Sequence, residues 1–195
     1  MQSTGTPQQP SATRPRGPST IKLTLTAVSI ALVFIVTYAT ANYTIPATKG
    51  YFDFGDVMIF IVALTFGPVT GGLAGGIGSA ASDAFSTGSG VYAPFTLVIK
   101  GLEGLAAGYL AFRGSRWRLG ISWAIASAIM VGGYFIAETL VIVGYPASVV
   151  DVFVNIPQVV VGGIIGIPVS QYLRRVLPLN VIYSRRSTPG SPPRA

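Results

Sequence analysis

The sequence contains no cysteine and no histidine. The first absence excludes a disulfide framework and thiol chemistry. The second removes the commonest metal ligand and the commonest general base, and with them the Ser-His and Cys-His nucleophile pairs. Charge is scarce as well: 10% of the 195 residues are charged, against roughly 25% in an ordinary soluble domain. Hydrophobic residues make up 50% of the chain, and mean hydropathy is +0.61. No G-x-x-x-x-G-K-[ST] motif occurs, so the chain has no phosphate-cradling loop with which to hydrolyse ATP. These absences exclude a soluble globular enzyme. They point to a small polytopic membrane protein with no resident cofactor or metal.

Apolar runs between polar breaks predict six spans, at about 21–42, 55–68, 70–85, 94–112, 119–144 and 150–173. The second and third are short for a bilayer that wants about 20 helical residues. The Gly67-Pro68-Val69-Thr70-Gly71-Gly72 junction would make them a tight helical hairpin or a partly re-entrant pair. Residues 1–20 and 176–195 are read as disordered cytoplasmic tails, the second of them basic, flanking a six-helix transmembrane domain at 21–175. The tails are rich in Pro, Ser, Thr and Gly and cannot bury enough apolar surface to offset their ordering entropy. Arg14, Arg16 and Lys22 before an apolar run, with Ala39-Thr40-Ala41 after it, resemble a signal peptide. The run is long enough to span a bilayer, which favours an uncleaved first helix.

Charge sets the orientation. With the N-terminus inside, the inner segments hold Arg14, Arg16, Lys22, Arg113, Arg116, Arg118, Arg174, Arg175, Arg185, Arg186 and Arg194, eleven of the 13 basic residues. The outer segments hold Lys49 with Asp53, Asp56 and Asp151. This positive-inside pattern requires an even number of spans. The fold expected is therefore an all-α membrane protein with six transmembrane helices, both termini cytoplasmic, in the plasma membrane.

Small residues cluster at Gly71, Gly72, Gly75, Gly76 and Gly78, at Gly104 and Gly108, and at Gly162 and Gly166. Their four-residue spacing predicts close backbone packing between helices, which lipid-immersed helices use in place of a hydrophobic drive. Ala27 and Ala31 form an A-x-x-x-A pair on one face of the first span.

Ionisable side chains within a bilayer are costly and are functional candidates by default. The orientation brings Lys100 and Glu103 of span four, Glu138 of span five, and Asn155 and Gln158 of span six to similar depth on the external side, with Tyr92 above them. Lys100 and Glu103 could also simply pair at i, i+3. One cation with carboxylates, amides and aromatic rims suits a small polar heteroaromatic ligand. The segment from Tyr43 to Phe54 is a candidate lid. Asp56 is expected to cap span two, and Asp83 is ambiguous.

Three stretches then resemble a known family: Gly55-Asp56-Val57-Met58; Phe66-Gly67-Pro68-Val69-Thr70-Gly71-Gly72 continuing through Gly75-Gly76-Ile77-Gly78-Ser79-Ala80-Ala81-Ser82-Asp83; and Tyr92-Ala93-Pro94-Phe95 through Lys100-Gly101-Leu102-Glu103-Gly104. With Asn155-Ile156-Pro157-Gln158, they are similar to the substrate-binding (S) components of energy-coupling factor (ECF) vitamin transporters, over about residues 20–175. The resemblance implies a six-helix subunit that captures a vitamin or precursor of the riboflavin, hydroxymethylpyrimidine/thiamine-related or pyridoxine type from outside. It implies as partners a transmembrane coupling subunit and two cytoplasmic ATPases. It places Ala27 and Ala31 at the coupling subunit, and it leaves open which vitamin is bound. The rival readings are a self-sufficient secondary transporter, for which no internal repeat is evident, and a membrane scaffold of the cell envelope.

Overall fold

The structure, a computed structural model, describes residues 20–41, 46, 48, 50–111 and 116–177. The residues assigned to the tails at 1–19 and 178–195, together with Lys49 and Arg113, lie outside the described residues. The described chain is all-helical, with no strand, and forms six helical runs. These are α1 (Thr20–Thr40) and α2 (Gly55–Phe66), then α3, then α4 (Ala93–Ala111), α5 and α6 (Ala147–Val176). α3 runs through Pro68–Leu73, a π-helical turn at Ala74–Gly78, and Ser79–Phe85. α5 runs through Arg116–Ala137 and ends in a second π-helical turn, Glu138–Ile142. The expected runs are all present, with boundaries shifted by a few residues; α6 is longer at both ends than 150–173.

Three helices are long and apolar enough to cross a membrane by length and composition: Thr20–Thr40, Trp117–Ile142 and Ala147–Val176. Large apolar side chains stand exposed along them, among them Ile35, Leu140, Phe153 and Ile164. Such an apolar surface suits lipid, not water. α2 is different. Its 12 residues rise only about 18 Å, short of the roughly 30 Å hydrocarbon core. It is apolar all round because it is the central helix, wrapped by α1, α3, α4 and α6. Ile59, Phe60, Ala63 and Leu64 are fully buried.

The break between α2 and α3 is written in Gly67-Pro68. Gly67 sits at φ 90°, a left-handed conformation that favours glycine. Pro68 has no N–H to donate to the Leu64 carbonyl four residues back. The Arg174 side chain fills that gap, its Nε donating to Leu64 O at 2.5 Å from the far end of α6. The result is the tight hairpin expected, anchored to α6.

α3 packs against α4 through glycines. A Cβ at Gly71 would lie 2.9 Å from the Gly104 carbonyl, one at Gly75 2.6 Å from the Lys100 carbonyl, and one at Gly76 2.7 Å from the Leu97 carbonyl. A Cβ at Gly108 would lie 2.5 Å from the Pro68 backbone. The close spacing in span three is thus an intramolecular seam. At the other side, Trp123 of α5 donates to the Val159 carbonyl of α6 at 2.8 Å.

Chain direction does the rest. α1, α3 and α5 end, and α4 and α6 begin, at one end of the bundle, where the segment before α2 also lies. Lys22, Arg116, Arg118, Arg174 and Arg175 belong to the opposite end.

Candidate functional site

All six acidic residues of the chain are buried, none more than 5% exposed. They converge on the end of the bundle where α4 and α6 begin. A cavity of about 40 Å³ there is lined by the ends of α1, α3 and α5, the starts of α4 and α6, and the segment preceding α2. Of the residues singled out from sequence, Tyr92, Lys100, Glu138, Asn155 and Gln158 line it. Glu103 does not. It lies beneath the cavity, fully buried, with its Oε2 3.6 Å from Lys100 Nζ.

Lys100 is the hub of the floor. Its Nζ forms an ion pair with Asp56 Oδ1, closer than its contact with Glu103. Simple i, i+3 pairing within α4 therefore gives way to a bridge between helices. Asp56 does not cap α2, whose first residues receive no side-chain bond from it. Asp53 serves there instead, its Oδ1 accepting the Gly55 N–H at 2.5 Å. Asp56 turns inward because Lys100 and Gln158 offer a buried anion better partners than a helix end does. Gln158 Nε2 donates to Asp56 Oδ2 at 2.9 Å and to Asp53 Oδ2 at 3.2 Å, and its Oε1 accepts the Asp53 N–H at 3.3 Å. One amide thereby ties the segment before α2 to α6. Burial pushes the Asp53 carboxyl up to about 7, while Lys100 pulls the other way.

The roof is made of hydroxyls on carboxylates. Tyr51 OH donates to Asp83 Oδ1. Thr48 Oγ1 donates to Asp151 Oδ1 at 2.7 Å, and Tyr92 OH donates to the Thr48 carbonyl at 2.7 Å. Burial, with carboxylates nearby, raises both tyrosines above their ordinary range, so they are neutral donors. The wall carries Met130 and Tyr134, whose OH lies 2.8 Å from Thr96 Oγ1 and whose ring lies 5.8 Å from Lys100 Nζ. Among the described residues, Glu138 Oε2, Asp151 Oδ2, Thr37 Oγ1 and Ser79 Oγ are buried with no hydrogen-bond partner. No described group of three acidic side chains is arranged to hold a metal.

The model of a family described as ECF-type riboflavin transporter, S component, matches residues 18–175, the whole helical body. The chain belongs to this family. It is thus a membrane substrate-binding subunit of an ECF transporter, in a family of transport components and not of enzymes. This S component is also 43% identical over 100 residues to a Pyrococcus woesei protein described as "Uncharacterized protein in gap 3'region", a stretch that is 51% of this chain and 66% of that relative.

The sequence places Tyr51 and Asp53 in a candidate lid and leaves Asp83 open; Thr37, Thr96, Tyr134 and Asp151 are cavity-lining residues that sequence reasoning missed. A signal was available for the acids. A chain with so few carboxylates has no need of them for solubility, so each one was worth assigning to the site.

Proposed function

We propose that this S component captures a vitamin or vitamin precursor from outside the cell in the cavity at Lys100, for ATP-driven uptake by partner subunits. The observation that carries this reading is the convergence of five polar side chains from α4, α5, α6 and the turn before α4 on one buried cavity. Tyr92, Lys100, Glu138, Asn155 and Gln158 contact the ligand in this reading, and Glu103 supports Lys100 from below. The candidates are riboflavin-like, hydroxymethylpyrimidine/thiamine-related and pyridoxine molecules.

The topology we propose has six spans with both termini cytoplasmic, residues 21–175 as the binding domain, and cytoplasmic tails on either side. It is supported by the segregation of charge: the acids gather in and beneath the cavity, and the described arginines belong to the opposite end. The cavity, at about 40 Å³, is far below the roughly 300 Å³ lower bound of small-molecule sites. Binding therefore requires Thr48 and the segment from Gly50 to Phe54 to move outward, exchanging the Tyr51–Asp83 and Thr48–Asp151 bonds for bonds to ligand.

The partners are a transmembrane coupling subunit and two cytoplasmic ATPases. Ala27 and Ala31 are exposed one turn apart on α1, while Ser29, Val33 and Thr37 face the bundle. The small exposed pair allows a partner helix to approach closely. Replacing Ala31 with Trp is expected to abolish co-purification with the coupling subunit while leaving ligand affinity within about twofold, because Ala31 faces outward and does not line the cavity. Unchanged assembly would remove Ala31 from the interface. Substrate uptake by the purified chain alone in liposomes would instead show a self-sufficient carrier.

A further inference from the structure

The charge balance of the cavity says more about the substrate than its shape does. On the floor, Lys100 opposes Asp56 and Glu103. At the roof, Asp83, Glu138 and Asp151 line the cavity, and no described basic side chain other than Lys100 does. Lys49 lies outside the described residues; the described lining sets four carboxyls, Asp53, Asp83, Glu138 and Asp151, against the one lysine. The Glu138 and Asp151 carboxyls lie within hydrogen-bond reach of each other, and Glu138 Oε2 and Asp151 Oδ2 are buried with no bond from any described N–H or hydroxyl donor. Buried carboxylate oxygens are strongly disfavoured without a donor or a cation. Gly50 keeps this corner open, since a Cβ there would lie 2.7 Å from Asp151 Oδ2.

Two classes of positive charge could sit at this corner. A bare metal ion needs several converging oxygen ligands, and no described trio of acidic side chains provides them. The neighbouring surface is aromatic: Tyr92 and Tyr134 lie with ring centroids 6.5 Å apart beside Met130. Ring faces next to carboxylates are the surroundings in which proteins hold organic cations.

On the reading that this cavity is the capture site, we infer that the substrate is a small organic cation: a protonated amine or a positively charged nitrogen heterocycle. Its charge sits between Glu138 Oε2 and Asp151 Oδ2, and its ring lies against Tyr92 and Tyr134. Lys100, its charge already offset by Asp56 and Glu103, orders the floor and does not call for a substrate anion.

The test is calorimetric titration of the full chain in mild detergent with matched probes that differ in charge. Pyridoxamine is set against pyridoxine, aminomethylpyrimidine against hydroxymethylpyrimidine, and thiamine and riboflavin serve as a fixed cation and a neutral vitamin. At least one cationic probe is expected to bind about tenfold or more tightly than its neutral counterpart or riboflavin, the advantage of a charge-assisted hydrogen bond. Glu138→Gln and Asp151→Asn, each checked for monodispersity and thermal stability, are expected to bring that ratio towards one. The wild-type ratio alone decides the matter should either variant fail to fold. A ratio of one or below, or no binding by any cationic probe, overturns the inference, because a proton shared between Glu138 and Asp151 would then account for the pair. Riboflavin binding tightly without charge preference overturns the cation and leaves vitamin capture standing. Failure of every probe, with no co-purification of a coupling subunit, overturns both.

Discussion

Around Lys100, Glu138 and Asp151 the helices are held apart by polar side chains, some with oxygens that no described group satisfies. A few turns away, along Gly71, Gly104 and Gly108, the same α3 and α4 touch backbone to backbone. The first region is arranged for something that arrives. The second is complete in itself. The difference shows how a small membrane protein without a large core divides its tasks. Dispersion contacts at the dry seam supply the rigidity, and that rigidity holds charged side chains at a cavity that would not form by itself. The two are joined at one residue. The Lys100 carbonyl lies against Gly75 in the seam, while its side chain pairs with Asp56 in the cavity floor.

The largest effect should come from forcing the seam apart. Gly108→Leu puts a branched side chain where even a Cβ would lie 2.5 Å from the Pro68 backbone. Extra methylenes in a packed core cost about 1–3 kcal/mol; four carbons driven against backbone that cannot yield cost more than that, most of a typical stability of about 5–15 kcal/mol. Loss of monodisperse protein in detergent is expected. Gly120→Ala, with nothing within 4 Å of the added carbon, should leave elution and melting unchanged. If the two variants behave alike, the seam is not what holds α3 to α4.

Next in size is Lys100→Met. It leaves Asp56 and Glu103 buried without their cation, and breaking a buried pair from one side costs about 3–5 kcal/mol. The double variant Lys100→Met with Asp56→Asn removes the orphaned charge and should recover much of the melting temperature. A double variant no more stable than the single one would mean that Asp56 is not the partner that matters.

How much of this was legible beforehand differs between the two regions. The seam could be read directly, because Gly71/Gly75 and Gly72/Gly76 repeat at the spacing of one helix face. The helix order and the Gly67-Pro68 hairpin followed from apolar runs and one proline. The depth of Lys100, Glu138, Asn155 and Gln158 followed from chain direction, and all four line the cavity. What could not be read was which partner each polar group chooses. Asp53 and Asp56 are three residues apart and both stand near the start of α2, so local rules give either one the cap. The choice belongs to Lys100 and Gln158, over 40 and 100 residues further along the chain. Tyr134 was invisible for a related reason: its role depends on which face of α5 looks inward, and uniformly apolar membrane helices carry little amphipathic signal.

The smallest expected effect tests the floor without dismantling it. Asp53 caps α2, accepts from Gln158 and stands near Asp56. Its carboxyl is raised from an ordinary value of 3.8 to about 7, with burial as the main cause. For an acid whose value is raised by folding, the native state holds the proton over a range in which the unfolded chain has lost it. Stability should therefore fall as pH rises between about 4 and 7, and level off above that. Asp53→Asn removes this titration while its side-chain oxygen can still accept from Gly55. Melting curves of the wild type and variant, recorded from pH 5 to 8, should converge at the acidic end and separate towards the alkaline end, with the wild type sloping more steeply. Parallel curves would mean that Asp53 is ionised throughout, and that the floor carries more negative charge than Lys100 alone offsets.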